Sequence, residues 1–163
     1  MAAGPAYAVI TKPKMTCVKG TDTLPAPAGP PEKTWVSTDG NIILTYNQIK
    51  VGSNFALKGV NGFAISGIGS DLPTIYHKLN LKTGTSEELF YKVWTIPGRG
   101  TFEGLGEVHY WGMINGQYDT GSNKGSMALL GTGAFEGESL ILTFTVGRDW
   151  IVTISGTLYS STG

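Results

Sequence analysis

Glu107-Val-His-Tyr-Trp111 sets a carboxylate, an imidazole and an indole at alternate positions. On an extended strand alternate side chains share one face, so Glu107, His109 and Trp111 are expected side by side. Imidazole titrates near neutrality, and a carboxylate two residues away orients it or raises its pKa. Inside an aromatic-lined cavity Glu107 and His109 would move protons to or from an enolisable or polyene substrate. Trp111, with Tyr110 and Tyr118 close in sequence, would line that substrate. On the outside of a sheet the same Glu and His are only solvated, and alternation does not say which face is inside.

Other candidates are weaker. Arg148 sits in the turn Val146-Gly-Arg-Asp-Trp150. A tip arginine is usually solvated, but near a barrel mouth it would clamp a ligand carboxylate or carbonyl. Arg99, in Pro97-Gly-Arg-Gly100, has the same two readings. Trp94 shares a face with Phe90, Lys92 and Ile96, which is either a lumen or an oligomer contact. His77 lies between Tyr76 and Lys78 and reads as structural. Cys17 lies near Lys14 and Lys19, which would lower its pKa, but no histidine partner is placed beside it. Two histidines and one cysteine, far apart, give no metal-ligand spacing, and neither metal nor cofactor is expected. No Gly-x-Ser-x-Gly elbow occurs.

Composition narrows the partners. Twelve basic and twelve acidic residues cancel, which leaves no electrostatic case for nucleic acid or an anionic membrane. No window approaches the roughly 18 apolar residues of a membrane helix. The N-terminus does not read as a signal peptide, and a lone cysteine gives secretion no support, so a cytoplasmic protein is expected. A small apolar molecule, and further copies of the chain as a dimer or trimer, are the expected partners.

The elements that must position these residues are strands. Leu140, Leu142, Phe144 and Val146 alternate with Thr143 and Thr145, and Val152, Ile154 and Leu158 alternate with Thr153, Ser155 and Thr157. Turn signals recur at Asp39-Gly40, Asn61-Gly62, Lys82-Thr-Gly84 and Asn115-Gly116. About eight or nine strands result, predicting an all-β, single antiparallel barrel over 35–163. Residues 72–81 read either as a strand or as one short helix, with Asp71 as its N-cap. Leu24 to Pro31 holds four prolines in eight residues and reads as part of an N-terminal arm, 1–34, packed along the body.

Glycine is 24 of 163 residues, and it is concentrated in a repeated frame. Gly98-Arg-Gly-Thr-Phe-Glu-Gly104 and Gly131-Thr-Gly-Ala-Phe-Glu-Gly137 stand 33 residues apart. Such glycines let strands coil until a sheet closes, with Phe102 and Phe135 covering bare backbone. Glu103 and Glu136 are either solvated or face one another. The segment Gly131–Gly137, between an apolar strand and Leu140-Ile-Leu142, resembles the glycine-rich segment of allene oxide cyclase and dirigent-type barrels. That resemblance implies an eight-stranded antiparallel barrel acting without cofactors on hydrophobic intermediates, and it transfers no catalytic residue.

The functional expectation is a cofactor-independent cyclase or isomerase of a small, mostly apolar biosynthetic intermediate. Shape-fitting in the lumen and one or two acid–base groups would do the work. A non-catalytic barrel binding an apolar ligand or a carbohydrate is the alternative, and a structural shell protein with a solid lumen is the third.

Overall fold

The computed structural model describes residues 12–110, 123–147 and 149–161, with the backbone of 113–114 and 117–118. Twelve strands follow one another: β1 Lys14–Thr23, β2 Ala26–Pro27, β3 Lys33–Val36, β4 Ile42–Gly59, β5 Ala64–Asn80 and β6 Thr85–Ile96, then β7 Gly100–Tyr110, β8 Met113–Ile114, β9 Gln117–Tyr118, β10 Lys124–Gly131, β11 Glu138–Val146 and β12 Ile151–Ser160. Eight of them close an antiparallel barrel in the order β1-β12-β11-β10-β7-β6-β5-β4. Pairing of Val18–Thr21 with Ala56–Gly59 shuts the ring. The short β2 and β3 add to β4 outside this circuit, while β8 and β9 pair only with each other.

Alternation explains the core. Inward positions of β11 are Leu140, Leu142, Phe144 and Val146, all buried, while Ile141, Thr143 and Thr145 face out. β6 points Phe90, Lys92, Trp94 and Ile96 inward, and β7 points Phe102, Val108 and Tyr110 the same way. Period two holds along most strands because each has one face on the lumen.

Residues 72–80 belong to a strand, and Leu81 opens the turn that follows. β5 carries register shifts between Asp71 and Thr74 and between Thr74 and Tyr76. Each shift adds a residue to β5, so Asp71 lies opposite Lys92, Thr74 opposite Phe90 and His77 opposite Glu88. That three-residue spacing imitates a helix in sequence. Among the described residues there is no α-helix, only a 3-10 turn at Gly133–Phe135. No helix among them is long and apolar enough to cross a membrane.

The expected boundary at 34/35 also moves. Lys14–Thr23 is a barrel strand, paired along its whole length with β12, because its Thr16, Val18 and Asp22 have a lumen to fill. Among the described residues of the expected arm, the proline-rich stretch is what lies along the body. The Ala28 N–H donates to the Ile49 carbonyl, and Gln48 Nε2 donates to the Gly29 carbonyl at 3.1 Å.

The two glycine frames meet at one end of the barrel. The first opens β7, and the second forms the 3-10 turn before β11. Phe102 and Phe135 pack with ring centroids 4.9 Å apart, and Arg99 lies over the Phe135 ring at 4.6 Å. The Thr101 and Thr132 hydroxyls are 2.8 Å apart, and the Ala134 N–H donates to the Arg99 carbonyl. A Cβ on Gly100 would lie 2.1 Å from the Thr132 carbonyl oxygen, so the close approach needs glycine. Glu103 points outward and Glu136 is exposed; neither faces the other across a cavity.

Candidate functional site

At the opposite end the lumen is charged. Lys92 projects from β6 with its side chain only 6% exposed, 3.1 Å from Asp71 on β5 and 3.4 Å from Asp22 on β1. Asp22 is held from two further sides: Trp94 Nε1 donates to its Oδ2 at 3.0 Å, and the Thr23 N–H donates to its Oδ1 at 2.8 Å. Next along the rim, Lys50 of β4 donates to Glu88 of β6, which also accepts from Thr74 Oγ1 at 2.9 Å. Charges this deep persist only when paired and hydrogen-bonded.

These groups border a cavity of about 80 Å³. Around the ring its wall divides into two arcs. Asp22, Lys50, Asp71, Glu88 and Lys92 come from the neighbouring strands β1, β4, β5 and β6. Val108, Tyr110, Met127, Phe144 and Val152 come from the contiguous β7, β10, β11 and β12 and make the other side apolar. Phe90 bridges the arcs, its ring 6.4 Å from that of Phe144. Gly106 and Gly125 make room for these two rings, since a Cβ on either would strike them at 2.4 and 2.2 Å. Leu24 and Pro25 of the arm complete the lining.

Burial sets the protonation chemistry. Desolvation pushes the Asp71 carboxyl above its ordinary range, and the nearby Glu88 charge adds to this against the opposing pull of Lys92. His77 faces Glu88 across the β5–β6 pairing, and desolvation lowers its pKa, so the imidazole is held neutral. A carboxyl of raised pKa, fixed beside an ammonium in a partly apolar cup, can take up and return a proton. Among the described residues no set of three His, Cys, Asp or Glu side chains is arranged to hold a metal ion.

Glu107 and His109 do not belong to this cup. Both lie on the outer face of β7, exposed, with Val108 and Tyr110 between and beside them pointing in. The expectation of an acid–base pair inside the lumen is therefore corrected. The residues do share a face, but strand parity puts that face in solvent, where His109 lies in an outer cleft with Lys78 and Glu87. Tyr110 points inward and lines the cavity, and Trp94 lies beneath it, fully buried and stacked on Phe55 at 4.5 Å. Trp111 and Arg148 lie outside the described residues, as does the side chain of Tyr118. Cys17 is exposed.

Sequence reasoning passed over Asp22, Lys50, Asp71 and Glu88. Lys92 carried the one local signal, a charge at an inward position between Phe90 and Trp94. Asp71 read instead as a helix cap, because the shifts in β5 hid its parity. What fold and site define together is a closed eight-stranded antiparallel barrel, packed solid at one end and holding a buried ionic cup at the other. Compared with protein-family models, curated proteins and solved structures, the chain matches none.

Proposed function

We propose that the chain is a cofactor-independent isomerase or cyclase of a small, mostly apolar molecule. The observation that carries this reading is the buried Asp22–Lys92–Asp71 group opening on a cavity whose far wall is apolar. Asp71 is the proton carrier: its raised pKa makes it a stronger base than an ordinary carboxylate. Lys92 stabilises negative charge that develops on the substrate, and Asp22, itself tied to Trp94, keeps that ammonium in place. The apolar arc folds the substrate into a reactive shape. A cavity of about 80 Å³ takes only a few non-hydrogen atoms, so the reacting group enters while the remainder extends past Leu24 and Pro25. The resemblance of Gly131–Gly137 to cofactor-free barrels points the same way.

The test begins with native mass spectrometry of protein purified from its producing cell, to recover a retained small molecule. That molecule is then incubated with the protein in D2O. Deuterium should appear at carbon with the wild type and fall at least about 100-fold with Asp71→Asn, the scale of a lost general base. A ligand returned without deuterium by the wild type would leave the binding-protein alternative in possession.

A further inference from the structure

The ionic cup is unbalanced. Its described lining holds three carboxylates, Asp22, Asp71 and Glu88, against two ammoniums, Lys50 and Lys92. Lys50 is engaged with Glu88, and Lys92 is shared by Asp22 and Asp71, so one negative charge is left over. That surplus sits on the cavity. Asp71 has its side chain 7% exposed, and Lys92 donates to its Oδ1 only; no donor among the described residues reaches Oδ2. Phe144 and Tyr110 stand across the cavity, and Phe90 bridges to them with its ring 6.0 Å from the Lys92 ammonium; aromatic ring faces carry negative electrostatic potential. A desolvated carboxylate that shares its one ammonium with a second carboxylate, beside aromatic rings, is the arrangement that attracts an organic cation.

We infer that this cup takes an organic ammonium: a ligand with one cationic nitrogen on an apolar body, the nitrogen at Asp71 and the body on the Phe90–Phe144 side. The inference deepens the proposed function and rests on its reading of the cup as the ligand site. It names the substrate class, and a cationic centre would also acidify neighbouring C–H bonds, which suits proton removal by Asp71. In the empty protein the surplus favours a proton on Asp71, whose carboxyl burial already pushes above its ordinary range. Ligand and proton then compete for one carboxylate, with Lys92, Lys50, Glu88, Asp22, His77 and Tyr110 as the titratable groups around it.

The probes are n-butylammonium, 1-butanol and butyrate, titrated into the protein and followed by the indole N–H resonance of Trp94, which donates to Asp22. The ammonium should bind about tenfold or more tighter than the alcohol near pH 7.5, the scale of one desolvated ion pair with a cation–π contact. Butyrate should not compete. Ammonium affinity should weaken as pH falls and Asp71 is protonated, while that of butanol stays level. Asp71→Asn should bring the ammonium and alcohol affinities together, and Lys50→Met, which adds to the surplus, should widen the preference; thermal denaturation verifies that both variants fold. Equal or better binding of butanol or butyrate to the wild type overturns the inference, as does an ammonium preference that survives Asp71→Asn. These outcomes are separate from turnover: loss of deuterium exchange sinks the proposed reaction and leaves ammonium selectivity standing, and the reverse also holds.

Discussion

The two ends of this barrel use the same pleat to opposite purposes. At the closed end the inward positions are Phe102, Leu129, Leu140 and Leu158, capped by Phe135. At the open end one arc of the wall instead carries Asp22, Asp71, Glu88 and Lys92, with Lys50 at the margin, opposite the apolar arc. One end gains stability from dispersion and the hydrophobic effect, without directional demands. The other holds ions out of water, which is tolerable only while each stays matched to partners from other strands. Stability is therefore concentrated at the end that the two glycine frames seal, and the buried ions at the end they leave open.

The largest effect should come from emptying the closed end. Phe102→Ala removes a fully buried ring from between Phe135 and the lumen, and should cost about 3–5 kcal/mol in urea denaturation. Loss of less than about 1 kcal/mol would mean that this end is not the stability centre. Next comes Lys92→Met, which strands Asp22 and Asp71 without their ammonium. It should destabilise by roughly 3 kcal/mol at neutral pH, with much of the loss recovered in acid as the carboxylates protonate. A pH-independent loss would show that packing of the lysine stem, and not its charge, matters there.

Smaller and of opposite signs are the pH effects at the open end. His77 has a folded pKa below the ordinary 6.5, so between those values the unfolded chain binds more protons. Its contribution is present above pH 6.5 and is lost as pH falls through that window. Asp71 runs the other way, since its folded pKa is above the ordinary 3.8; its contribution is lost as pH rises through the folded value. His77→Gln should therefore remove the part of the urea-midpoint slope in which stability falls as pH drops below 6.5, and leave the opposing Asp71 part in place. An unchanged slope in that variant would remove His77 from the account. The smallest effect belongs to the outer face. Glu107→Gln and His109→Gln should each change stability by less than about 0.5 kcal/mol and leave deuterium exchange intact. Loss of exchange in either would return the active site to the outside of β7.

Local regularity explains what was legible. Leu140 to Val146 and Val152 to Leu158 announce their strands, because period two is a property of neighbouring residues. The barrel follows from the number of such strands and from glycines that let them coil. Glu107 and His109 were correctly placed on one face, but the choice between lumen and solvent is not local. It is made when β7 lies between β6 and β10 and the ring closes. Asp71 was harder still, since two register shifts in β5 give its face a spacing near three, and β4 has its own shifts at Gln48/Lys50 and Val51/Ser53. A bulge depends on what the partner strand offers opposite it, which no single segment records.

By itself, then, the sequence determined a predominantly β chain, the positions of several barrel strands and, among the described residues, the turns at Asp39-Gly40, Asn61-Gly62 and Lys82–Gly84, while the Asn115-Gly116 turn lies outside them. These depend on side-chain alternation and backbone freedom within a few residues. Only the tertiary structure decided that Asp22 would accept from Trp94, 72 residues away, and share Lys92 with Asp71. A buried charge is tolerable only beside partners that the closed barrel delivers from other strands, so the ionic cup exists at the level of the closed ring and at no level below it.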